Sequence, residues 1–370
     1  MDDYKNLPIN NFGRKIRSDF GNKTLSGLIF GNFGSYNIGD EAILSGELEE
    51  LERNNIRNIK VIARYPEEIY RLYRLPGIRM FDIFSVLSAL YISDFVIFGG
   101  GGLFCKNNAG IKGIIFQLYG LMLIFVSKLS RKKLYIIGLG FYENAPKIIT
   151  VLGFFVLKLA DELAVRDFYT YHFLRSKNIK SGLYKDNSFL MSLPPLKSVS
   201  YPGKKINIGV ALKRPESQKE IIQLDSEIGE FIKNHKEAYF WFYTLDNHPQ
   251  YSTDNNFIKS IVNKYLYNSK SFHFIPNTWT PQQVFSSFKQ MDFFIAMRLH
   301  SMIFCYRLNI PFYAITYDRK CATFLDSIGH TSHSIHDTTA REIEKDMQPA
   351  IKKDNYYYGK KQKADNFAFL

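Results

Sequence analysis

The 370-residue chain predicts an α/β protein of two Rossmann-like, doubly wound domains facing a cleft. Three observations carry this. Short β-rich runs alternate with apolar helix-like segments from residue 25 onward, and the length exceeds what one ordinary core holds. The alternation also stops and restarts across Met191 to Gly203, a stretch with three prolines, several serines and no periodicity, which reads as a linker. The expected organisation is a polar leader over 1–23, an N-terminal domain over 24–190, the linker over 191–203, a C-terminal domain over 204–339 and a basic tail over 340–370.

Leu25 to Phe30 reads as the first strand and runs into a loop holding Gly31, Gly34 and Gly39, after which Ile43, Leu44, Leu48 and Leu51 follow helical spacing. Asp40 and Glu41 fall in the first helical turn, where a carboxylate suits the helix dipole and disfavours a bound anion. The loop is neither G-x-G-x-x-G nor a nucleotide P-loop. Its Asn32, Asn37 and Asp40 suit sugar hydroxyls, or equally a turn that caps itself.

Asn58 to Ala63 is a second strand and Ser93 to Phe98 a third, ending in four glycines, Gly99 to Gly102. Ordering each glycine costs roughly 1 kcal/mol relative to alanine, so something must approach that backbone closely. Either a ligand or an interdomain wall does, which makes Gly100 and Gly101 candidate substrate-binding positions, or the next helix does. Lys133 to Gly138 and Asp161 to Asp167 continue the series, Asp167 serving as a helix N-cap, and Ser181 to Asp186 closes the first half.

Past the linker, a strand over Lys205 to Leu212 ends in Lys213-Arg214-Pro215. Pro215 disfavours helical geometry at Arg214, so both cations sit on a loop at the strand's carboxyl end and form a candidate anion clamp. A helix over Gln218 to Asn234 leads to a strand over Tyr239 to Leu245 and then to Asp246-Asn247-His248. Ser271 to Ile275 is another strand, and Thr280-Pro281 starts a helix. Next comes an apolar run to Met297, Arg298-Leu299-His300, a helix to Leu308, and a second β-rich run from Pro311 to Tyr317. In such a βαβ unit, polar residues at the carboxyl end of the first strand line the ligand crevice. A permanent cation and a histidine there suit an anionic substrate and a proton transfer.

A formal net charge of +13 points to anionic partners: phosphorylated metabolites, nucleotide sugars, nucleic acid or an acidic membrane. The basic residues are dispersed and fit no nucleic-acid module, so nucleic acid is not expected. Cys105, Cys305 and Cys321 lie far apart, without metal or disulfide spacing. No metal or cofactor is expected, and a reduced, cytoplasmic setting is. The N-terminus shows no secretory signal, and the apolar run over 114–126 is shorter than the roughly 20 residues of a spanning helix. Peripheral docking on an anionic leaflet is the expected membrane relation. The oligomeric state is left open.

The ordered set of motifs resembles the polysaccharide pyruvyl transferase family. The pieces are Gly34-x-x-Asn37-x-Gly39-Asp40-Glu41-Ala42, Gly99 to Gly102 with Leu103, Gly138-Leu139-Gly140, Arg166-Asp167, Asp186, Ile208 to Leu212 with a following cation, and Arg298-Leu299-His300 with Pro311 and Tyr317-Asp318-x-Lys320. The resemblance implies a GT-B-like fold and transfer of pyruvate from phosphoenolpyruvate to a sugar of a polysaccharide or lipid-linked glycan, forming a ketal. It implies that Arg298 and His300 act on the donor, with His300 as acid or base. Lys213 or Arg214 would be the donor cation and Lys320 a further contact. Asp40 would assist an acceptor hydroxyl, near Asn37 and His248. The alternative is a glycosyltransferase of the same fold using a nucleotide sugar.

Overall fold

The computed structural model describes residues 3–104, 110–142, 145–194, 206–248, 252–267, 269 and 271–349. Much of the linker, Cys105 and the tail beyond 349 lie outside the described residues. Two compact units are present, Met1–Ser192 with Thr280–Gln282, and Leu193–Trp279 with Gln283–Leu370.

In the first unit the strands are β1 (Ser26–Phe30), β2 (Asn58–Ala63), β3 (Gly77–Arg79), β4 (Phe95–Phe98), β5 (Gly101–Phe104), β6 (Lys133–Phe141), β7 (Glu162–Val165) and β8 (Gly182–Leu183). The helices are α1 (Phe12–Phe20), α2 (Ile38–Arg53), α3 (Pro66–Tyr73), α4 (Ile83–Ile92), α5 (Ile111–Leu129), α6 (Lys147–Leu157) and α7 (Phe168–Arg175). The sheet is parallel in the order β3-β2-β1-β4-β6-β7-β8, with β5 also paired to β6. Chain order therefore reverses between β1 and β4, the switch point beside which such sheets bind ligands. Near-continuous apolar strands, such as Phe95 to Phe98, are buried because helices cover both faces. Leu28, Phe30, Val96 and Phe98 point into one core with α4, α5 and α6. Ile29, Phe95, Ile97 and Tyr135 point into the other with α1 and α2.

Two expectations are corrected here. The polar start is not an irregular leader: it contains α1, which buries Phe12 and Ile16, and Tyr4 is buried with its hydroxyl accepting the Asp186 N–H at 2.9 Å. Its apolar residues are few but fall on one helical face, enough to anchor it. Within the glycine run that follows β4, Gly101 opens a further strand, β5, beside β6. Finally, α5 spans 19 residues, more than its apolar run suggested, and is long and apolar enough to cross a membrane. It packs on the sheet all the same, burying Tyr119, Leu123 and Ile124.

The second unit holds β9 (Asn207–Ala211), β10 (Tyr239–Phe242), β11 (Phe272–Phe274), β12 (Phe293–Ala296), β13 (Phe312–Thr316) and β14 (His333–Ser334). Its helices include α8 (Gln218–Asn234), α9 (Thr253–Tyr265), α10 (Pro281–Ser287) from Gln283 onward, α11 (Leu299–Leu308) and α12 (Arg319–Ile328). The parallel order is β11-β10-β9-β12-β13-β14, a doubly wound sheet whose switch point lies between β9 and β12. A further helical segment over 340–349 buries Ala340, Ile343 and Met347 in this unit's core. The boundary expected at 339 thus cuts through packed structure. The i, i+3, i+7 spacing of those three residues is the cause.

Candidate functional site

Each unit gathers polar groups at its own switch point. In the first, α2 begins at Asn37, whose Oδ1 accepts the N–H groups of Gly39 at 2.9 Å and Asp40 at 3.4 Å. Asn32 Nδ2 donates to Asp40 Oδ2 at 2.8 Å, so the loop after β1 is held by its own side chains. A Cβ on Gly101, where φ is +125°, would sit 3.5 Å from Asp40 Oδ1. The carboxylate therefore lies against the glycine run. Asn37 and Asp40 thus share one capped turn, and Asp40 lies against Gly101.

What approaches Gly99 and Gly100 most closely is the protein itself. Gly100 N–H donates to Glu47 Oε1 at 3.0 Å, and a Cβ at Gly99 would stand 2.7 Å from Glu47 Oε2. Asn187 Nδ2 donates to the same Oε1 at 2.8 Å. Glu47 is fully buried and its carboxyl is pushed up to about 8, chiefly by burial. Glu41, capped by Ser35 N–H at 3.2 Å and approached by the Tyr73 hydroxyl, is likewise raised to about 8 by burial, with Asp40 adding to it.

Two such acids have a consequence for stability. An unfolded glutamate ionises near 4.5 and the folded Glu47 near 8, so unfolding releases a proton between those values and stability falls as pH rises across that window. The loss for one group reaches roughly 5 kcal/mol. Glu47→Gln imitates the protonated acid and keeps the acceptor for Gly100 and Asn187. It is expected to match the parent at pH 4.5, melt higher at pH 8, and halve the slope that Glu41 and Glu47 produce together. An unchanged slope in thermal melts across pH would refute this.

At the second switch point, Lys213 and Arg298 each stand two residues beyond the end of their strands, β9 and β12. Arg298 Nε donates to Asp254 Oδ2 at 2.9 Å, its Nη2 bonds the same oxygen, and Asp246 Oδ2 lies 3.6 Å from Nη2. Burial works against the guanidinium, but Tyr317, Asp254 and Asp246 hold its pKa above the ordinary arginine value. Nη1 has no hydrogen-bond partner among the described residues.

Lys213 Nζ sits 4.6 Å from the Tyr317 ring centroid and makes no ion pair among the described residues. Burial, then Arg298, lower its pKa below the usual lysine value. Lys320 lies 6.0 Å from the same ring and 3.2 Å from Asp318, the N-cap of α12. Burial raises the Tyr317 phenol far above its ordinary value. His300, in the first turn of α11, is 9% exposed with its ring 6.3 Å from that of Phe304. The two adjacent cations differ in exposure, Lys213 being half-buried and Arg214 exposed. Lys213 is in the cluster, whereas the exposed Arg214 takes part through its backbone N–H, bonded to Asp254 Oδ1 at 2.9 Å. His248 donates its backbone N–H to Asp246. His273 is a strand residue whose ring meets that of Trp241 edge-on.

Sequence reasoning passed over Asp254 and the buried Glu47. Asp254 looks like any acidic residue in the first turn after a Ser252 cap. Only the need of a buried Arg298 for a carboxylate could have pointed to it. Among the described residues, no group of three or more His, Cys, Asp or Glu is placed to hold a metal ion.

Two parallel, doubly wound units with polar clusters at their switch points define a GT-B-like, Rossmann-type α/β protein. Solved structures agree on the fold. A protein of Listeria monocytogenes provisionally assigned as a UDP-N-acetylglucosamine 2-epimerase is similar at TM-score 0.62 and 9% identity, covering 89% of this chain and 88% of its own. The UDP-GlcNAc 2-epimerase of Neisseria meningitidis, bound to UDP-GlcNAc, gives 0.57 at 14% identity over 90% and 92%. A glycosyltransferase of Rickettsia africae gives 0.53 at 11% over 89% and 89%. At such identities the likeness speaks for the fold alone. No curated protein matches in sequence. The sequence profile of the polysaccharide pyruvyl transferase family matches residues 37–319, and the chain belongs to that family.

Proposed function

We propose that this pyruvyl transferase takes phosphoenolpyruvate as donor, binds it at the switch point of the second unit, and builds a pyruvate ketal on two hydroxyls of a glycan sugar. The observation that carries the reading is the pair Lys213 and Arg298 at that point. Lys213 lacks a carboxylate partner among the described residues, and Arg298 keeps Nη1 unengaged there. A donor with a carboxylate and a phosphate suits a fixed guanidinium edge beside a point charge.

In the proposed reaction C3 of the enol takes a proton and C2 becomes oxocarbenium-like. One sugar hydroxyl adds to C2, the C2–O bond to phosphate breaks, and the second hydroxyl closes the ring. Of the two hydroxyl protons, one replaces that delivered to C3 and the other leaves with phosphate. His300 is assigned the proton to C3. Asp40, held by Asn32 in the first unit, is assigned the acceptor hydroxyl. No step calls on a cofactor.

The test is thermal stabilisation by phosphoenolpyruvate against a panel of UDP-, GDP- and CMP-sugars and inorganic phosphate. A ligand at a hundred times its Kd adds about 2.7 kcal/mol of apparent stability. Phosphoenolpyruvate alone is expected to stabilise, and Lys213→Met to abolish the shift. Stabilisation by a nucleotide sugar alone would replace this reading with a glycosyltransferase. His300→Asn is expected to keep the melting temperature and the donor shift while losing about 10²–10⁴-fold in turnover. Retained turnover would remove His300 from its role.

A further inference from the structure

The solvent side of the first unit's helical layer is apolar where a soluble protein is normally polar. On α5 the outward stripe Ile111, Ile115, Met122, Phe125 and Leu129 is exposed, recurring at helical spacing. The neighbouring α4 exposes Phe84 at 88% and Tyr91 at 82%, and α6 exposes Val151 at 66% and Phe155 at 61%. All three helices bury their opposite sides in one core cluster, so they lie on the same face of the sheet. Soluble monomers rarely expose so continuous an apolar surface, which marks it as an interaction face.

Charge identifies the occupant. Within α4, α5 and α6 there is no Asp or Glu, while Lys112, Lys128 and Lys147 lie inside them and Arg131 and Lys158 follow their ends. The acids at the border are engaged: Asp82 caps α4, and Asp161 bonds Lys128 at 2.8 Å. Lys112, Arg131, Lys147 and Lys158 are exposed. A second copy of this face would bring the same cations and no carboxylate from the three helices to meet them. An anionic lipid surface meets both features, taking the apolar side chains below its headgroups and the lysines among them, with Phe84, Tyr91 and Phe155 placed as aromatic anchors.

We infer that the α4–α5–α6 face of the first unit docks in the plane of an anionic lipid bilayer. The helix α5 lies flat there rather than spanning, because its other side is committed to the sheet core. The surface stands independently of the donor assignment, and it brings the enzyme to acceptors carried on lipid.

The test is co-sedimentation with equimolar phosphatidylglycerol–phosphatidylcholine vesicles and with phosphatidylcholine alone. The full chain is expected to bind the anionic vesicles, more weakly at high salt, with each lysine at the surface worth about fivefold in partitioning. The triple variant Phe84→Ser, Phe125→Ser, Phe155→Ser is expected to bind about tenfold less or weaker still, while melting as the parent does and keeping its response to phosphoenolpyruvate. Should that variant misfold, Lys112→Glu with Lys147→Glu and Lys158→Glu provides the second reading, a loss of preference for anionic vesicles. Absence of binding by the parent, or undiminished binding by both variants, would overturn the inference. So would a solution dimer that the triple variant dissociates, which would give the face to a second copy of the chain.

Discussion

Replacing Asp254 by alanine is expected to cost about 3–5 kcal/mol of stability, because it leaves a buried guanidinium short of its main counter-charge. The side chain of Asp254 is 2% exposed, its Oδ2 receives Nε and Nη2 of Arg298, and its Oδ1 receives the Arg214 N–H. Asp246, 3.6 Å away and more exposed, offers only partial compensation. The same variant should then be rescued in part by anions. With the carboxylate gone, phosphate or phosphoenolpyruvate can stand against Arg298, so the deficit in melting temperature is expected to shrink as either is added. A deficit indifferent to anions would show that Asp254 serves packing alone. It would also weaken the placement of the donor beside Arg298.

The second large effect is expected at the buried pair in the first unit. Arg166, just past β7, reaches Asp186 Oδ2 at 2.9 Å, and the two side chains are 5% and 2% exposed. Asp186 also caps the turn that follows it, accepting Ser188 N–H at 2.9 Å. Asp186→Ala therefore removes a counter-charge and a cap, about 3–5 kcal/mol together with roughly 1 kcal/mol. Against a total of about 5–15 kcal/mol for a typical domain, that brings the unit near its unfolding limit. The double variant Arg166→Met, Asp186→Leu is expected to recover most of the loss, since apolar residues of similar size repay the desolvation that the ions incur. Denaturant melts of the three variants decide. If the double variant is as damaged as the single one, the pair is not the source.

Much of the fold was legible because its signals are local. A buried parallel strand is a short apolar run, and its helix follows at a different period. Ile208 to Ala211 and Phe293 to Ala296 could be read that way, and α8 was readable to its end residues. The caps at Asn37 and Asp167 also act within three residues. Gly101 was harder: a glycine run looks like a loop, and its pairing with β6 is a contact nearly 40 residues away in the chain. The opening segment was misread for the same reason, since what orders Tyr4 is Asp186.

By itself, then, the sequence determined the class of fold, the order of the strands' motifs and the presence of cations at the strand ends. Those follow from hydrophobic period and from residue type. Only the tertiary structure decided the electrostatic state of those groups. It seated Arg298 on Asp254, left Lys213 over Tyr317 without an ion pair among the described residues, and drove Glu47 into an apolar interior beside Gly99. Burial and counter-charges depend on residues distant in the chain, and a charge is worth several-fold more out of water than in it. No local pattern records which side chains will share that interior.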